Sequence, residues 1–371
     1  MSERAPIELT LVRHGESTFN VTGQWQGQGD APLSPLGEQQ ALRVGARLAR
    51  ETFDRVVSSD LQRAHRTALA TGHPVETREE WREIDVGRWE GLTRAEVAQR
   101  YPDEVNGAMR GDDVKIGGAE SWSDLSARVE RAMLTLLREV EPGARVCVVA
   151  HGGVIASLVS GVLGLREHRP RPIGRISNTA ISRLAVQLDP TGQALAHARL
   201  LAFNDASHAF GVPAWASEMY EAGQRLVTLL ADGPTLPMPW AGTDGNVLPV
   251  ARVSGRSDAA RGLADALRVP FEALDDAALS RVFEAPVVAA PETDGEGPSE
   301  GPAAAHPASR EGRHVVVLPP ADIARVVTAR MRHAPEGPAS VAAPTVGSVT
   351  NVVITRKGHT FADYASVRGE A

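Results

Sequence analysis

Two short segments carry residue types that could do chemistry together. Near the start, Arg13-His14-Gly15 follows the apolar run Leu9-Thr10-Leu11-Val12, and far downstream His151-Gly152-Gly153 follows Val146-Cys147-Val148-Val149-Ala150. Each run is brief, lacks helical spacing and stops at a turn residue, which reads as a buried strand. Open α/β sheets place ligands at the carboxyl ends of their strands, so both imidazoles are expected to face one cleft. A lone histidine at a strand end is more often structural, whereas two at equivalent positions make a catalytic pair. Zinc is one chemistry such a pair could serve. Arg13, and Arg63 in the first turn of a helix after the strand run 53–59, argue for another. Guanidinium groups repel a cation and hold phosphate through paired N–H donors, and small residues such as Gly15 and Gly152 let backbone N–H groups approach its oxygens. One imidazole nitrogen can then attack phosphorus in line, and the second imidazole can stabilise the charge on the equatorial oxygens. Glu83, beside Trp81 and Trp89, is the carboxyl expected to protonate the leaving alkoxide, its pKa raised by an apolar setting. An exposed loop glutamate is the equally weighted bland reading.

The surrounding pattern must position these groups. Residues 20–30 are polar and glycine-rich and read as a loop. Ser34-Pro35 is expected to open a helix as N-cap and first helical residue, with Ala41, Val44, Leu48 and Ala49 as its apolar stripe. Residues 94–131 read as mostly helical and polar, and a strand is expected around Asn178-Thr179-Ala180-Ile181. Strands alternating with helices imply a mostly parallel sheet covered on both faces.

Bulk properties narrow the class. A chain of 371 residues suggests two domains. The net charge of −7 argues against a nucleic-acid or anionic-membrane surface, so an anionic substrate must be attracted locally. The single cysteine, Cys147, excludes an internal disulfide and a thiolate metal cluster, points to a reducing cytoplasm, and reads as core packing. The N-terminus lacks a signal-peptide core. Residues 146–165 carry no Asp, Glu, Lys or Arg, but strand logic followed by helix logic disfavours a membrane span.

The motifs taken in order carry a resemblance. Leu11-Val12-Arg13-His14-Gly15-Glu16-Ser17, Gln26-Gly27-Gln28-Gly29-Asp30-Ala31-Pro32-Leu33-Ser34, Ser58-Ser59-Asp60-Leu61-Gln62-Arg63-Ala64, the segment 83–91 and Ala150-His151-Gly152-Gly153 are similar, over residues 7 to about 206, to the histidine phosphatase (phosphoglycerate mutase-like) superfamily. The resemblance implies a three-layer α/β/α fold with a mostly parallel central sheet. It implies that His14 is the phosphorylated nucleophile, that Arg13, Arg63 and His151 form the phosphate pocket, that Glu83 is the proton donor, and that Asn20, Gln26 and Gly152 line the pocket, with no metal and no cofactor. Residues 118–121, Gly-Ala-Glu-Ser, depart from the more usual Gly-Gly-Glu-Ser, so Glu120 and Ser121 are expected either at the site or in a helix cap. Gln26-Gly27, where mutases of the family carry Gly-Trp, resembles the phosphatase branch. The expected activity is hydrolysis of a small phosphorylated metabolite. A cofactor-dependent phosphoglycerate mutase is the alternative, and a phospho-ligand sensor or scaffold the alternative of another class.

Residues 225–371 read as a degenerate second copy of the first domain (1–210), after a linker at 211–224. Thr10 to Gly15 aligns with Thr228-Leu229-Leu230-Ala231-Asp232-Gly233, and Arg145 to Gly152 with Arg313-His314-Val315-Val316-Val317-Leu318-Pro319-Pro320. Residues 34–48 resemble 254–267, Asp60-Leu61-Gln62-Arg63 resembles Ala278-Leu279-Ser280-Arg281, and 173–178 resemble 346–351, which sets Asn178 against Asn351. His14 has then become Asp232, His151 Pro319 and Arg13 Ala231, with Arg281 kept. Residues 291–313, rich in Pro, Gly, Glu and Ala, read as a disordered loop. Two tandem copies suggest a pseudo-dimer within one chain, or a homo-oligomer.

Overall fold

The computed structural model describes residues 5–165, 173–209, 225–232, 250–275, 278, 279, 282, 313–331, 339–341, 343, 344, 348–355 and 358–361. The expected linker at 211–224, the expected disordered loop up to residue 312, and Arg281 lie outside them. The chain divides into two units, the first comprising 1–169, 175–209 and 331–342 and the second 170–174, 210–330 and 343–371.

The first unit is built on the two apolar runs. They form β1 (Ile7–Arg13) and β4 (Arg145–Ala150), which pair in parallel, Val12 opposite Val149 and Arg13 opposite Ala150. Beyond β4 come β2 (Arg55–Ser58) and the short β3 (Glu76–Thr77), also parallel. On the other side of β1 lies the antiparallel β5 (Ile181–Leu188), then β6 (Leu195–Asp205), then β11 (Ala339–Val341) parallel to β6. The strand order is β11-β6-β5-β1-β4-β2-β3. Residues 331–342 thus belong with the first unit, so the span expected for the second copy is interrupted there.

Both faces of this sheet are buried, as uninterrupted apolar strands require. After the short α1 (Thr18–Thr22), α2 (Pro35–Leu48) and α3 (Gln62–Leu69) cover Val12, Val56, Cys147 and Val149 on one face with Val44, Leu48 and Ala68. On the other, α7 (Gly152–Val162) lies against β1 and β6 and packs on α6 (Trp122–Arg138). Ser34 caps α2 as expected, its Oγ accepting from the Gly37 amide at 3.0 Å, with Pro35 in the first turn. The helical stretch 94–131 resolves into α4 (Arg94–Arg100), α5 (Pro102–Arg110) and the start of α6. Cys147 is fully buried, and burial pushes its thiol up to about 12. No helix among the described residues is long and apolar enough to cross a membrane.

The second unit is also α/β. Its six-stranded sheet has the order β13-β12-β7-β10-β8-β9, formed by β7 (Arg225–Ala231), β8 (Val250–Gly255), β9 (Phe271–Ala273), β10 (Arg313–Leu318), β12 (Val349–Thr355) and β13 (Gly358–Phe361). Helices occupy Asp258–Leu267 and Pro320–Met331.

Candidate active site

Because β1 and β4 are adjacent and parallel, their carboxyl ends deliver His14 and His151 side by side. The two rings lie 5.1 Å apart, tilted by 59°, and both are buried. The loop after His14 is pressed against the first turn of α2, where Gly15 and Gly37 face each other so closely that a Cβ on either would run into the backbone opposite. That contact fixes the turn, and the hydroxyl of Thr67 on α3 accepts the Gly15 amide at 3.0 Å.

The tautomer of His14 follows from its neighbour. Nδ1 lies 2.6 Å from the Gly15 carbonyl, which can only accept, so Nδ1 carries the proton and Nε2 keeps its lone pair. Burial, and after it the positive charges of Arg63 and Arg13, hold His14 well below the ordinary histidine pKa. It is therefore a neutral imidazole at pH 7, the form that attacks. His151 caps the start of α7 through its backbone position, and its Nε2 meets the Ser59 hydroxyl at 2.9 Å. With the Ser59 hydroxyl donating to Nε2, both that hydroxyl and the Leu61 amide, which Oγ accepts at 3.3 Å, are satisfied, and the His151 proton is assigned to Nδ1. Burial, then Arg63 and His14, also depress His151 well below 6.5.

Two guanidiniums complete the cage. Arg63 is wholly buried in the first turn of α3 and is held by the Gly29 and Gly27 carbonyls at 2.6 and 2.9 Å. Arg13 donates from Nη1 to the Ile176 carbonyl at 2.5 Å, and burial lowers its pKa to about 10. Three buried polar atoms in this cluster, Arg13 Nε, Arg63 Nε and His151 Nδ1, have no hydrogen-bond partner. Native interiors rarely leave such groups unsatisfied without a ligand to take them.

Glu83 is seated differently from the apolar setting expected of it. Its Oε2 accepts from the Gly153 amide at 3.0 Å and its Oε1 from the Ile84 amide at 2.9 Å, and Arg13 and Arg63 both feel its charge. A Cβ at Gly153 would run into Oε1, so a side chain there would push the carboxylate out of this seat. Arg128 clamps the segment from behind. It donates to the carbonyls of Glu80, Arg82 and Glu83 and pairs with Glu120 at 2.8 Å. Glu120 therefore acts through Arg128, and through the Asp85 amide, which it accepts at 3.0 Å. Ser121 caps α6 in a capping box with Asp124.

Asn20 and Gln26 lie close by, in one network around Ser17. The Oδ1 of Asn20 accepts from the Ser17 amide and from Asn178, and the Oε1 of Gln26 accepts from the Ser17 hydroxyl at 2.7 Å. Gly152 begins α7 beside the Arg13 side chain. His14, His151, Arg13, Arg63, Glu83 and Gly152 thus lie together, Asn20 reaches His14 through Asn178, and Gln26 is linked to them only through Ser17 and Asn20. Sequence reasoning missed Ser59, Thr67, Arg128, Gly153 and Asn178, the last of which donates to the His14 carbonyl at 3.1 Å. Asn178 sits in a wall segment braced by Asn204, whose amide accepts from Ser177 at 2.7 Å and donates to the Arg175 carbonyl at 3.1 Å. Among the described residues no group of three or more His, Cys, Asp or Glu could hold a metal ion.

The buried histidines make folding pH-dependent. Unfolded, each takes up a proton near pH 6.5; folded, His14, His151 and His208 do so only at lower pH, His208 at about 4 through burial and then Arg47. Below pH 6.5 the unfolded chain binds more protons, so stability is full above that pH and drains as pH falls toward the folded values. His208 alone accounts for about 3 kcal/mol across that window. Urea midpoints will fall between pH 7.5 and pH 5; a flat profile would contradict neutral burial of these rings.

The first half of the chain is similar to known proteins. The sequence profile of the histidine phosphatase superfamily (branch 1) matches residues 9–198. A protein of Salmonella choleraesuis described as a probable phosphoglycerate mutase, GpmB, is 38% identical over 190 residues, 49% of this chain and 86% of that one. Among solved structures, a mycobacterial glucosyl-3-phosphoglycerate phosphatase is 32% identical with a TM-score of 0.47, covering 52% of this chain and 96% of that one. A phosphoserine phosphatase variant of Entamoeba histolytica is 30% identical with a TM-score of 0.46, covering 54% and 98%.

Proposed function

From a chain that belongs to the histidine phosphatase superfamily, branch 1, we propose a phosphomonoesterase that works through a phosphohistidine on His14. The observation that carries this reading is the set of orphaned donors, Arg13 Nε, Arg63 Nε and His151 Nδ1, gathered about a nucleophile whose Nε2 is free. A phosphate monoester satisfies all three. Nε2 attacks phosphorus, the P–O bond to the alcohol breaks, and Glu83 gives the leaving oxygen its proton. Both guanidiniums and the His151 N–H hold the equatorial oxygens as charge spreads over them. Glu83 then takes a proton from water as that water attacks the phosphohistidine, releasing inorganic phosphate and restoring His14. Glu83 thus ends the cycle protonated, as it began, its proton replaced by one from the attacking water.

The substrate is a small phosphorylated metabolite whose alcohol portion is itself anionic. Arg94 lies over the Trp25 ring at 5.7 Å, and Arg175 is near enough to press on the charges of both Arg94 and Arg13. Neither Arg94 nor Arg175 has an ion-pair partner among the described residues. Arg94→Ala will raise KM about 5–10-fold for a phosphoester with a carboxylate on the alcohol side, as expected for one charge-assisted contact. It will leave an uncharged aryl phosphate within about twofold; equal effects on both would remove this role for Arg94.

Mutase activity is the second reading, favoured by the description of the Salmonella relative. The test is direct. Incubated with 3-phosphoglycerate and no bisphosphate, a phosphatase releases inorganic phosphate, whereas a mutase yields 2-phosphoglycerate and depends on added bisphosphate.

A further inference from the structure

The family profile ends at residue 198, yet the second sheet repeats the first strand for strand. Leaving out β11, the first order is β6-β5-β1-β4-β2-β3 and the second β13-β12-β7-β10-β8-β9. Taken in chain order, each strand of the second half stands where its counterpart stands. The directions also agree, four parallel strands flanked by one antiparallel strand and then another parallel to the four.

The match extends to single residues. Arg13 lies opposite Ala150, and Ala231 lies opposite Leu318. The next amide crosses to the neighbouring strand in both units, His14 N–H to Ala150 O at 3.0 Å and Asp232 N–H to Leu318 O at 2.8 Å. On the antiparallel side, Arg13 N–H reaches Ala180 O at 3.1 Å and Ala231 N–H reaches Ser348 O at 3.0 Å. Thr10 faces Arg183 across the ladder and accepts its guanidinium at 3.1 Å; Thr228 faces Asn351 and donates to its side chain at 2.7 Å. The buried strand positions Val12, Val56, Cys147 and Val149 recur as Leu230, Val253, Val315 and Val317. A one-residue slip would destroy every one of these coincidences.

This register corrects the alignment read from sequence in two places. Helix Asp258–Leu267 follows β8, the counterpart of β2, so it is the equivalent of α3 and not of residues 34–48. Asn351 is the equivalent of Arg183, not of Asn178. The first correction also removes Arg281 as the equivalent of Arg63. Counted from the strand end that position falls on Ala260, and counted from the helix start on Ala259.

We infer that the second unit is a duplicated histidine phosphatase fold from which the phosphoryl-transfer centre has been dismantled, leaving one reactive site per chain. Both guanidiniums are replaced by methyl groups, at Ala231 and at Ala259 or Ala260. The second imidazole is replaced by Pro319, which has neither a ring donor nor an N–H. The nucleophile's place holds Asp232, whose carboxylate accepts the Ser257 hydroxyl at 2.9 Å. Asp232 has no ion-pair partner among the described residues, and an unpaired carboxylate repels a phosphate dianion, so this position is fitted neither to bind nor to attack one. A fold persists through packing, while an activity lives in a few side chains, and only the latter have been exchanged.

The experiment counts phosphoryl groups on the full chain. Wild type and His14→Ala are quenched during turnover of an aryl phosphate and examined by intact mass and peptide mapping. One group per wild-type chain, on His14, and none on the variant is the expected result. A group on any residue from 225 to 361, or a variant that still labels, overturns the inference. No label on either protein would overturn the esterase reading while leaving the second unit silent. As a separate check, Asp232→Asn, which keeps an acceptor for Ser257, will change kcat/KM less than about twofold; a tenfold loss would show that the second unit takes part in the chemistry.

Discussion

His14→Ala will lower kcat/KM on an aryl phosphate by about 10⁴-fold or more, the size of loss seen when the nucleophile of a covalent mechanism is removed. The prediction rests on three features at one residue. The ring is neutral, because burial and two guanidiniums disfavour its proton. It is oriented, because the Gly15 carbonyl takes Nδ1–H. It is also surrounded by donors that find nothing else to bind. Removing the ring leaves the donors in place, so inorganic phosphate or vanadate will still bind the variant within about tenfold of wild type. Lost turnover with retained anion binding separates a missing nucleophile from a collapsed site. Activity equal to wild type would end the assignment of His14.

Glu83→Gln will cost about 10²–10⁴-fold on an alkyl phosphate, or about 3–5 kcal/mol of barrier, the range for loss of a positioned general acid. The isosteric amide keeps the side chain's volume and one oxygen for the Gly153 or Ile84 amide. The effect will shrink as the leaving group becomes more acidic, because a phenolate with strongly withdrawing substituents departs without a proton. A plot of rate against leaving-group pKa will be steep for the variant and shallow for wild type. Parallel lines would show that Glu83 is not the proton donor.

The candidate site groups were legible because each sits where a simple pattern ends. An apolar run followed by His-Gly marks a strand's carboxyl end, and parallel pairing then needs no further information to bring His14 to His151. Arg63 was legible for the same reason, one turn past the end of β2. The supporting residues were not. Ser59, Thr67, Arg128 and Asn178 act through single hydrogen bonds whose partners lie far along the chain, and no spacing rule joins residue 128 to the carbonyl of residue 83. Gly153 looked like one more glycine after a histidine; only the placed carboxylate of Glu83 shows why it has no side chain. The capping role of Ser121 was open in the sequence and is settled by Asp124 three residues on. The internal repeat shows the same division. The runs of β1 and β4 aligned correctly with those of β7 and β10, because β-branched residues and register leave little freedom, whereas the run of β12 did not. Helix 258–267 was mispaired, because a stripe of small apolar residues fits either of two amphipathic helices, and only strand adjacency tells them apart.

The seat of Glu83 ties two mechanistic roles to one piece of backbone. His151, which in the proposed mechanism holds the phosphoryl oxygens, and the Gly153 amide, which seats Glu83, belong to the same opening turn of α7. A tilt of that helix end would swing His151 and the N–H that seats the carboxylate together, as two teeth cut on one gear. The Ile84 amide and Arg128 hold Glu83 from the other side, so such a tilt would strain the Gly153 bond against them.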